Sequence, residues 1–359
     1  MNEFGGFDGR EIELSTIDER ALELGVAAAS DWSTLDALDA VIGPFSSSGS
    51  LVIVPQLISR GTVVCSPSIS STDFDQLVDD GLFFRTSTLD SEILSGMVDI
   101  AVRTGSDKVA VVFPDDFHGR RLMTELNGLL SERELEISAS VPYSPSESDI
   151  QPIVEAIVND DSSVELLIGE PVGAPRIVTA LLNRPEPEII IINDALTDST
   201  LEIPRSIDPT ARPKVFGVVA DLRKGDRKLL NDFSFGTSQY LRQLTEIPTF
   251  GVNTVECLTS IWLAARSANS DDSQLFKNFL VDNSKNGSRC TWIFDCSFLL
   301  DQSLNLDYEG SSSLTFDQLG NAVDRGILVY TFDDQGRVVE AQEPLELTPS
   351  EDDVLQPKP

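Results

Sequence analysis

The stretch KVAVVFPDDFHGRRLMTELNGLLSERELEISAS (Lys108 to Ser140) decides the fold class. It opens on a short apolar run, Lys108 to Phe113, of the kind found where a strand is covered on both faces. From Gly119 to Arg133 apolar residues fall three and four apart, which is a helical stripe. Leu135 to Ser140 is a second strand-like run. A strand, a helix and a strand in that order require a crossover, and crossovers within one sheet are right-handed and join parallel strands.

The same alternation extends in both directions. Further strands are expected at Glu11 to Ser15, Ala40 to Gly43, Thr62 to Cys65, Val164 to Ile168, Glu188 to Ile192 and Val215 to Val218. Helices are expected at Leu51 to Arg60, Asp90 to Thr104 and Ile150 to Asn159, and from Phe250 to Asn269 with Val255, Leu258, Ile261 and Ala265 on one buried stripe. The order builds an α/β protein with doubly wound parallel sheets. Two breaks, at FFRTSTLD ending on Asp90 and at ADLRKGD after Val218, suit passages between lobes. Lobe 1 is therefore expected at 1–88 and 220–310, and lobe 2 at 89–219 and 311–343. After Leu314 the pattern turns to short strands joined by Asp/Gly turns. The Pro- and acid-rich tail at 344–359 has the composition of a disordered segment.

Composition narrows the function. The 359 residues include 59 acidic against 26 basic side chains, a formal net charge of −33, so the surface repels nucleic acid and anionic membranes. Apolar runs are too short to cross a bilayer, and MNEFGGFDGR has neither the basic nor the apolar region of an export signal. With a single histidine, His118, no His-rich metal cluster can form. Nucleophile-elbow, Walker and dinucleotide-binding motifs are lacking. Asp115 and Asp116 in PDDFHG fit a solvated turn better than acid/base work. FDQLG and FDDQG lack the ligand repeat of a calcium loop. No enzyme activity, cofactor or metal is expected. Cys65 and Cys257 read as small buried hydrophobes. Cys290 and Cys296 bracket CTWIFDC, where a local disulfide, and with it an oxidising compartment, competes with a pair of free thiols.

VIGPFSSSGS (Val41 to Ser50) followed by VVCSPSIS (Val63 to Ser70) resembles the branched-chain amino-acid (Leu/Ile/Val-type) substrate-binding proteins of bacterial ABC importers, of the type I periplasmic binding protein family. FFRTSTLDS with Arg85, KVAVVFPDDFHGRR with Gly119, IINDALTDSTL, and YEGSSSLTFDQLGN with Gly310, Phe316, Asp317 and Gly320 extend the resemblance from about Phe7 to Gly336. It implies two Rossmann-like lobes, three crossing segments and a cleft that closes on a solute by a hinge. Carried over, Ser47 matches the carboxylate-binding serine, and Ser68 and Ser70 match the next loop's contacts. Asp194 falls where the family has an acid for the ligand's ammonium. His118 stands where relatives usually carry a ligand-packing tyrosine, and Glu170 and Phe117 fall at the cleft edge. The plain alternatives are turn capping for the serines, a helix N-cap for Asp194 and a loop histidine without ligand contact for His118. Ser47 and Ser68 also follow strand ends directly, where open parallel sheets gather ligands, and loops there offer hydroxyls and backbone N–H groups to a carboxylate.

The resemblance implies a monomeric, extracytoplasmic protein that captures an amino acid or amide-like solute for an ABC permease. The alternative is a ligand sensor of the same fold coupled to a signalling partner. Relatives begin with a strand and helix ahead of the segment matched by MNEFGG, so the N-terminal strand is expected to be missing. Met1 then reads as an internal methionine, the upstream sequence carrying an export signal and a lipid-anchoring cysteine.

Overall fold

The computed structural model describes residues 1–2, 6–7, 9–19, 38–144, 146–169, 173–184, 188–193, 213–221, 250–310, 313–323, 325–333 and 338–341. The expected disordered tail lies outside the described residues. The chain forms two compact units, Met1–Leu89 with Asp221–Gly326 and Asp90–Ala220 with Ile327–Pro359.

The first unit is built on three parallel strands in the order β1 (Ala40–Ile42), β2 (Val63–Ser66), β3 (Phe83–Arg85). Because strand side chains alternate, β2 feeds two cores. Val63 and Cys65 join a cluster with Phe84, Cys257, Leu263 and Phe276, whereas Val64 joins Phe83, Ile69 and Ile53, Val54 and Leu57 of helix α1 (Ser47–Ile58). Both faces are dry, which is why the sequence runs apolar without alternation.

The second unit carries a seven-stranded sheet. In chain order its elements begin with helix α2 (Asp90–Arg103), β4 (Lys108–Pro114), α3 (Phe117–Glu132), β5 (Glu136–Tyr143), α4 (Gln151–Val158) and β6 (Val164–Leu167). They continue with α5 (Ala174–Leu181), β7 (Ile189–Ile192), β8 (Lys214–Ala220), β13 (Ile327–Phe332) and β14 (Val338–Glu340). The sheet order is β14-β13-β8-β7-β6-β4-β5, parallel from β5 to β8, with β13 and β14 added antiparallel. Val109, Val111, Leu166, Ile191 and Val218 pack with α2 and α3, and Val112, Leu167, Ile190 and Ile192 with α4 and α5.

The first unit is completed by α6 (Gly251–Ala268), α7 (Ser273–Asp282), β9 (Ser288–Cys290), α8 (Ile293–Asp301), β10 (Leu306–Tyr308), β11 (Thr315–Phe316) and β12 (Ala322–Val323). Besides β3, which falls in the stretch read as a passage between lobes, and α5, which is not among the expected elements, the sequence reading departs from the structure in four places. Glu11 to Ser15 is not a strand: Leu14 is 73% exposed, and the Ile12 backbone is held by the side-chain amide of Asn2, at 2.8 Å to its N–H and 2.9 Å to its carbonyl. Residues 311–326, expected in lobe 2, belong to the first unit, because the β11–β12 hairpin is tied to β3 by a hydrogen bond of 2.8 Å from Arg85 Nε to Asn321 Oδ1. The buried face of α6 is rotated from the expected stripe: Val255, Leu258 and Ile261 are only partly buried, while Asn253, Glu256, Thr259 and Ser260 are inside. Asn253 and Glu256 find partners on that face, the Asn253 side-chain amide donating to Thr86 O. Thr86 donates to Asn253 O at 2.9 Å, and Arg325 Nη2 donates to Glu256 Oε2 at 2.5 Å.

The fourth difference is covalent. Cys65 and Cys257 are not free apolar side chains but a fully buried disulfide joining β2 to α6 across 192 residues, with Cα atoms 5.6 Å apart. Cys290 and Cys296 form a second bridge across 6 residues. A crosslink removes conformations from the unfolded chain in proportion to the logarithm of the loop it closes. The Cys65→Ala/Cys257→Ala variant is therefore expected to lose about 4–5 kcal/mol of unfolding free energy and the Cys290→Ala/Cys296→Ala variant about 2 kcal/mol, measured by urea unfolding. Equal losses would show that loop length does not set the effect.

Glu165 lies in β6 between Ala110 of β4 and Ile190 of β7, fully buried, with both carboxyl oxygens lacking a partner. Burial first, and the charge of Asp160 second, push its pKa well above the ordinary 4.5. Between the two values the folded chain keeps a proton that the unfolded chain has released, so the unfolded state binds fewer protons and stability falls as pH rises through this window. Glu165→Leu is expected to raise stability at pH 7 by about 1–3 kcal/mol and to flatten the pH dependence above 4.5, read from denaturation midpoints across a pH series. An unchanged pH slope would exclude Glu165 as its source.

Candidate functional site

Two loops at the carboxyl ends of β1 and β2 come together through serines. The chain leaves β1 through Gly43 and the cis-linked Pro44, and Ser46 caps α1 by accepting from the Gly49 N–H at 3.2 Å. Across from it, Ser66 at the end of β2 donates to Pro44 O at 2.7 Å and accepts from the Ile69 N–H at 3.0 Å. Ser68 donates to Phe45 O at 2.9 Å, and the Ser70 N–H donates to Ser47 Oγ at 3.4 Å. The structure thus brings Ser47 and Ser70 into contact, both half-buried. Ser68 is buried with its proton committed to the neighbouring loop, so it holds the loops in register.

The carbonyl inventory of these loops is what gives them a chemical character. Pro44, Phe45 and Ser46 carbonyls hold donors from Ser66, Ser68 and the Ser50 N–H. Those of Ser66, Ile69 and Ser71 hold the Thr86 N–H, the Ser87 hydroxyl and Arg85 Nη1. With these six carbonyls engaged and a helix beginning at Ser47, the hydroxyls and N–H groups of the first loop lie at the positive end of a helix dipole. One carboxylate already exploits this: Glu19 accepts from the Phe45 N–H at 2.6 Å and the Ser46 N–H at 3.0 Å.

Arg85 sets the far side of the second loop. Its fully buried guanidinium donates to Ser71 O at 2.5 Å and Asn321 Oδ1 at 2.8 Å, and pairs with Asp75. Phe45, 59% exposed, meets Phe250 edge to face at 5.6 Å beside α6.

In the second unit His118 sits in the first turn of α3, half-buried. Asp116 caps that helix through the Gly119 N–H at 2.7 Å, and Asp115 pairs with Arg120 at 2.5 Å, so both acids have structural employment. Gly119 is required by close approach, since a Cβ there would lie 2.2 Å from Pro114 O. Glu170 and Asp194 lie outside the described residues. Ser66, Arg85 and Glu19 escaped the sequence reading. A polar residue ending the apolar run TVVCS was a signal for Ser66, but nothing local marked the other two. Among the described residues no group of three or more His, Cys, Asp or Glu is placed to hold a metal, and no helix is long and apolar enough to cross a membrane.

Comparison with known proteins gives this geometry a context. A segment of 174 residues is 26% identical to glutamate receptor 3.1 of Oryza sativa subsp. japonica, covering 45% of this chain and 18% of the receptor, so the match spans less than a fifth of that relative. The fold is shared with an ABC transporter substrate-binding protein of Desulfitobacterium hafniense in complex with Leu, at 17% identity and a TM-score of 0.69, covering 94% of this chain and 91% of that one. It is shared also with a leucine-binding protein of Thermotoga maritima, at 14% identity and a TM-score of 0.67 over 90% and 83% of the two chains. A solute-binding protein of R. palustris in complex with benzoate is similar at 13% identity and a TM-score of 0.69 over 94% and 87%. The family model for periplasmic binding proteins matches residues 1–184, and the chain belongs to the periplasmic binding protein family.

Proposed function

We propose that this protein captures a small carboxylate-bearing solute, an amino acid or close analogue, for an ABC importer. The observation that carries the reading is the joining of the two strand-end loops at Ser47 and Ser70, where six of the loop carbonyls already hold donors. Such a surface favours an anion and offers little to a cation. Ser47, which accepts from the Ser70 N–H, has its own proton to give to a solute carboxylate, and Ser70 lies beside it. The ammonium of an amino acid needs a separate acidic partner, the role assigned to Asp194, with Glu170 and His118 as further contacts from the second unit. Solved relatives holding Leu and benzoate support a carboxylate as the common chemical element. In this reading the chain has no catalytic step. Its partner is a membrane permease, and its place is outside the cytoplasm, where two disulfides persist.

A second reading, a sensor module of the same fold, draws on the glutamate-receptor match. The two share the solute site and differ in what receives the signal.

The deciding measurement is a thermal-shift and calorimetric panel of L-amino acids, aromatic acids and the matching carboxamides. A carboxylate solute at about 100 times its dissociation constant adds about 2.7 kcal/mol to native-state stability. Ser47→Ala is expected to weaken that binding by about tenfold or more, the worth of one hydrogen bond to a charged group, while the loss of the Ser70 N–H contact lowers the solute-free stability by no more than about 1 kcal/mol. Equal binding of acids and amides would remove the carboxylate reading.

A further inference from the structure

The entrance to α1 contains a carboxylate supplied by the protein itself. Glu19 is half-buried, and its two oxygens take the Phe45 and Ser46 N–H groups, immediately before the Ser47 hydroxyl. Glu19 is approached by an exposed stretch of chain. Residues 11–16 form no regular element and are largely exposed, and the described apolar anchor next to Glu19 is Ile17, packed beside the α1 cluster of Ile53, Val54 and Leu57. Few buried contacts among the described residues before Glu19 let that stretch move at small cost.

We infer that Glu19 is an internal competitor for the carboxylate of the solute, a residue that sets both the threshold and the selectivity of binding. The inference rests on the carboxylate reading of Ser47 and Ser70 above. Two N–H groups each bonded to an ionised oxygen are charge-assisted and stronger than neutral pairs, so Glu19 is a real occupant of these donors. A second carboxylate arriving at Ser47, one residue further along, meets like charge at close range and finds the two neighbouring donors taken. Binding then requires Glu19 to withdraw, and the observed affinity is the intrinsic affinity multiplied by the fraction of molecules in which it has done so. A simple acid that offers only its carboxylate exchanges one carboxylate for another and gains nothing. A solute with further groups to place, such as an amino acid, gains from those groups and displaces Glu19. The device thereby favours amino acids over plain small acids of the same charge.

The test compares the wild-type protein with Glu19→Gln, using sodium acetate, benzoate, L-leucine, L-alanine and the corresponding carboxamides as probes. Affinities come from calorimetry, and protection of the Phe45 and Ser46 amides from hydrogen exchange. Expected results are solvent-shielded Phe45 and Ser46 amides in solute-free wild-type protein, loss of that protection in Glu19→Gln, and a gain of about tenfold in affinity for the carboxylate probes with no gain for the carboxamides. Glu19→Asp, whose carboxylate is one methylene short of the donors, is expected to show part of the gain and confirms that the variant's fold is intact. Unchanged or weaker carboxylate binding in Glu19→Gln, with the wild-type protein binding the same probes, overturns the competitor role while leaving the solute reading in place. If neither protein binds any carboxylate probe, both readings fall together.

Discussion

A guanidinium sealed from water must find every partner inside the protein, and Arg85 is such a group. It satisfies itself by gathering pieces far apart in sequence: Ser71 at the end of the serine loop, Asp75 in the short 3₁₀ helix at Thr72–Gln76, and Asn321 in the β11–β12 hairpin. Removing one partner of a buried pair costs about 3–5 kcal/mol because the remaining charge is stranded, so these pieces are held to one arrangement. The serine loop inherits its shape from that demand. Ser70 precedes the residue whose carbonyl Arg85 holds, so its N–H is aimed by a cation behind it as much as by the strand before it.

The disulfide from Cys65 to Cys257 acts on the same loop from the other side. Cys65 is the residue before Ser66, and Cys257 follows Glu256 on the buried face of α6. Helix α6 therefore meets β2 through a covalent bond and meets Thr86, just after β3, through reciprocal hydrogen bonds with Asn253. A helix positioned by a crosslink, by paired polar groups and by the buried Trp262 and Leu263 toward its C-terminal end can bury Glu256 against Arg325 in its N-terminal half.

That division explains which parts of the molecule were legible in the sequence. Seven of the strands from Ala40 to Ala220, all but β3, and the helices α1 to α4 appear where the patterns put them, because a parallel sheet dry on both faces leaves unbroken apolar runs and its helices leave a three-and-four spacing; β3 and α5 are not among the expected elements. Glu11 to Ser15 alternates as a strand should, yet alternation supplies no neighbour, and Asn2 took the backbone groups of Ile12 instead. The face of α6, the allegiance of the hairpin at 311–326 and the pairing of Cys65 all depend on partners 69 to 236 residues away, which local patterns do not encode. At the site, Ser47 and Ser68 were visible because they follow strand ends, and Ser70 through the family resemblance. Ser66, Glu19 and the role of Arg85 were not, since each matters through a distant partner.

The chemistry of the serine loops follows from counting their backbone groups. An open loop usually offers as many acceptors as donors, and so has no sign. Here the carbonyls of Pro44, Phe45, Ile69 and Ser71 are each engaged by a side chain from elsewhere, so the internal hydrogen bonds that shape the loops also strip them of acceptors. At the beginning of α1 a negative charge is stabilised by about 0.3–1 kcal/mol beyond the hydrogen bonds themselves, and the carboxylate of Glu19 already takes that position. In a chain of net charge −33 this is a local reversal of sign. A free anion is repelled by most of the surface and can be retained at these donors only in exchange for Glu19, so the general acidity of the surface adds to the selectivity of the site.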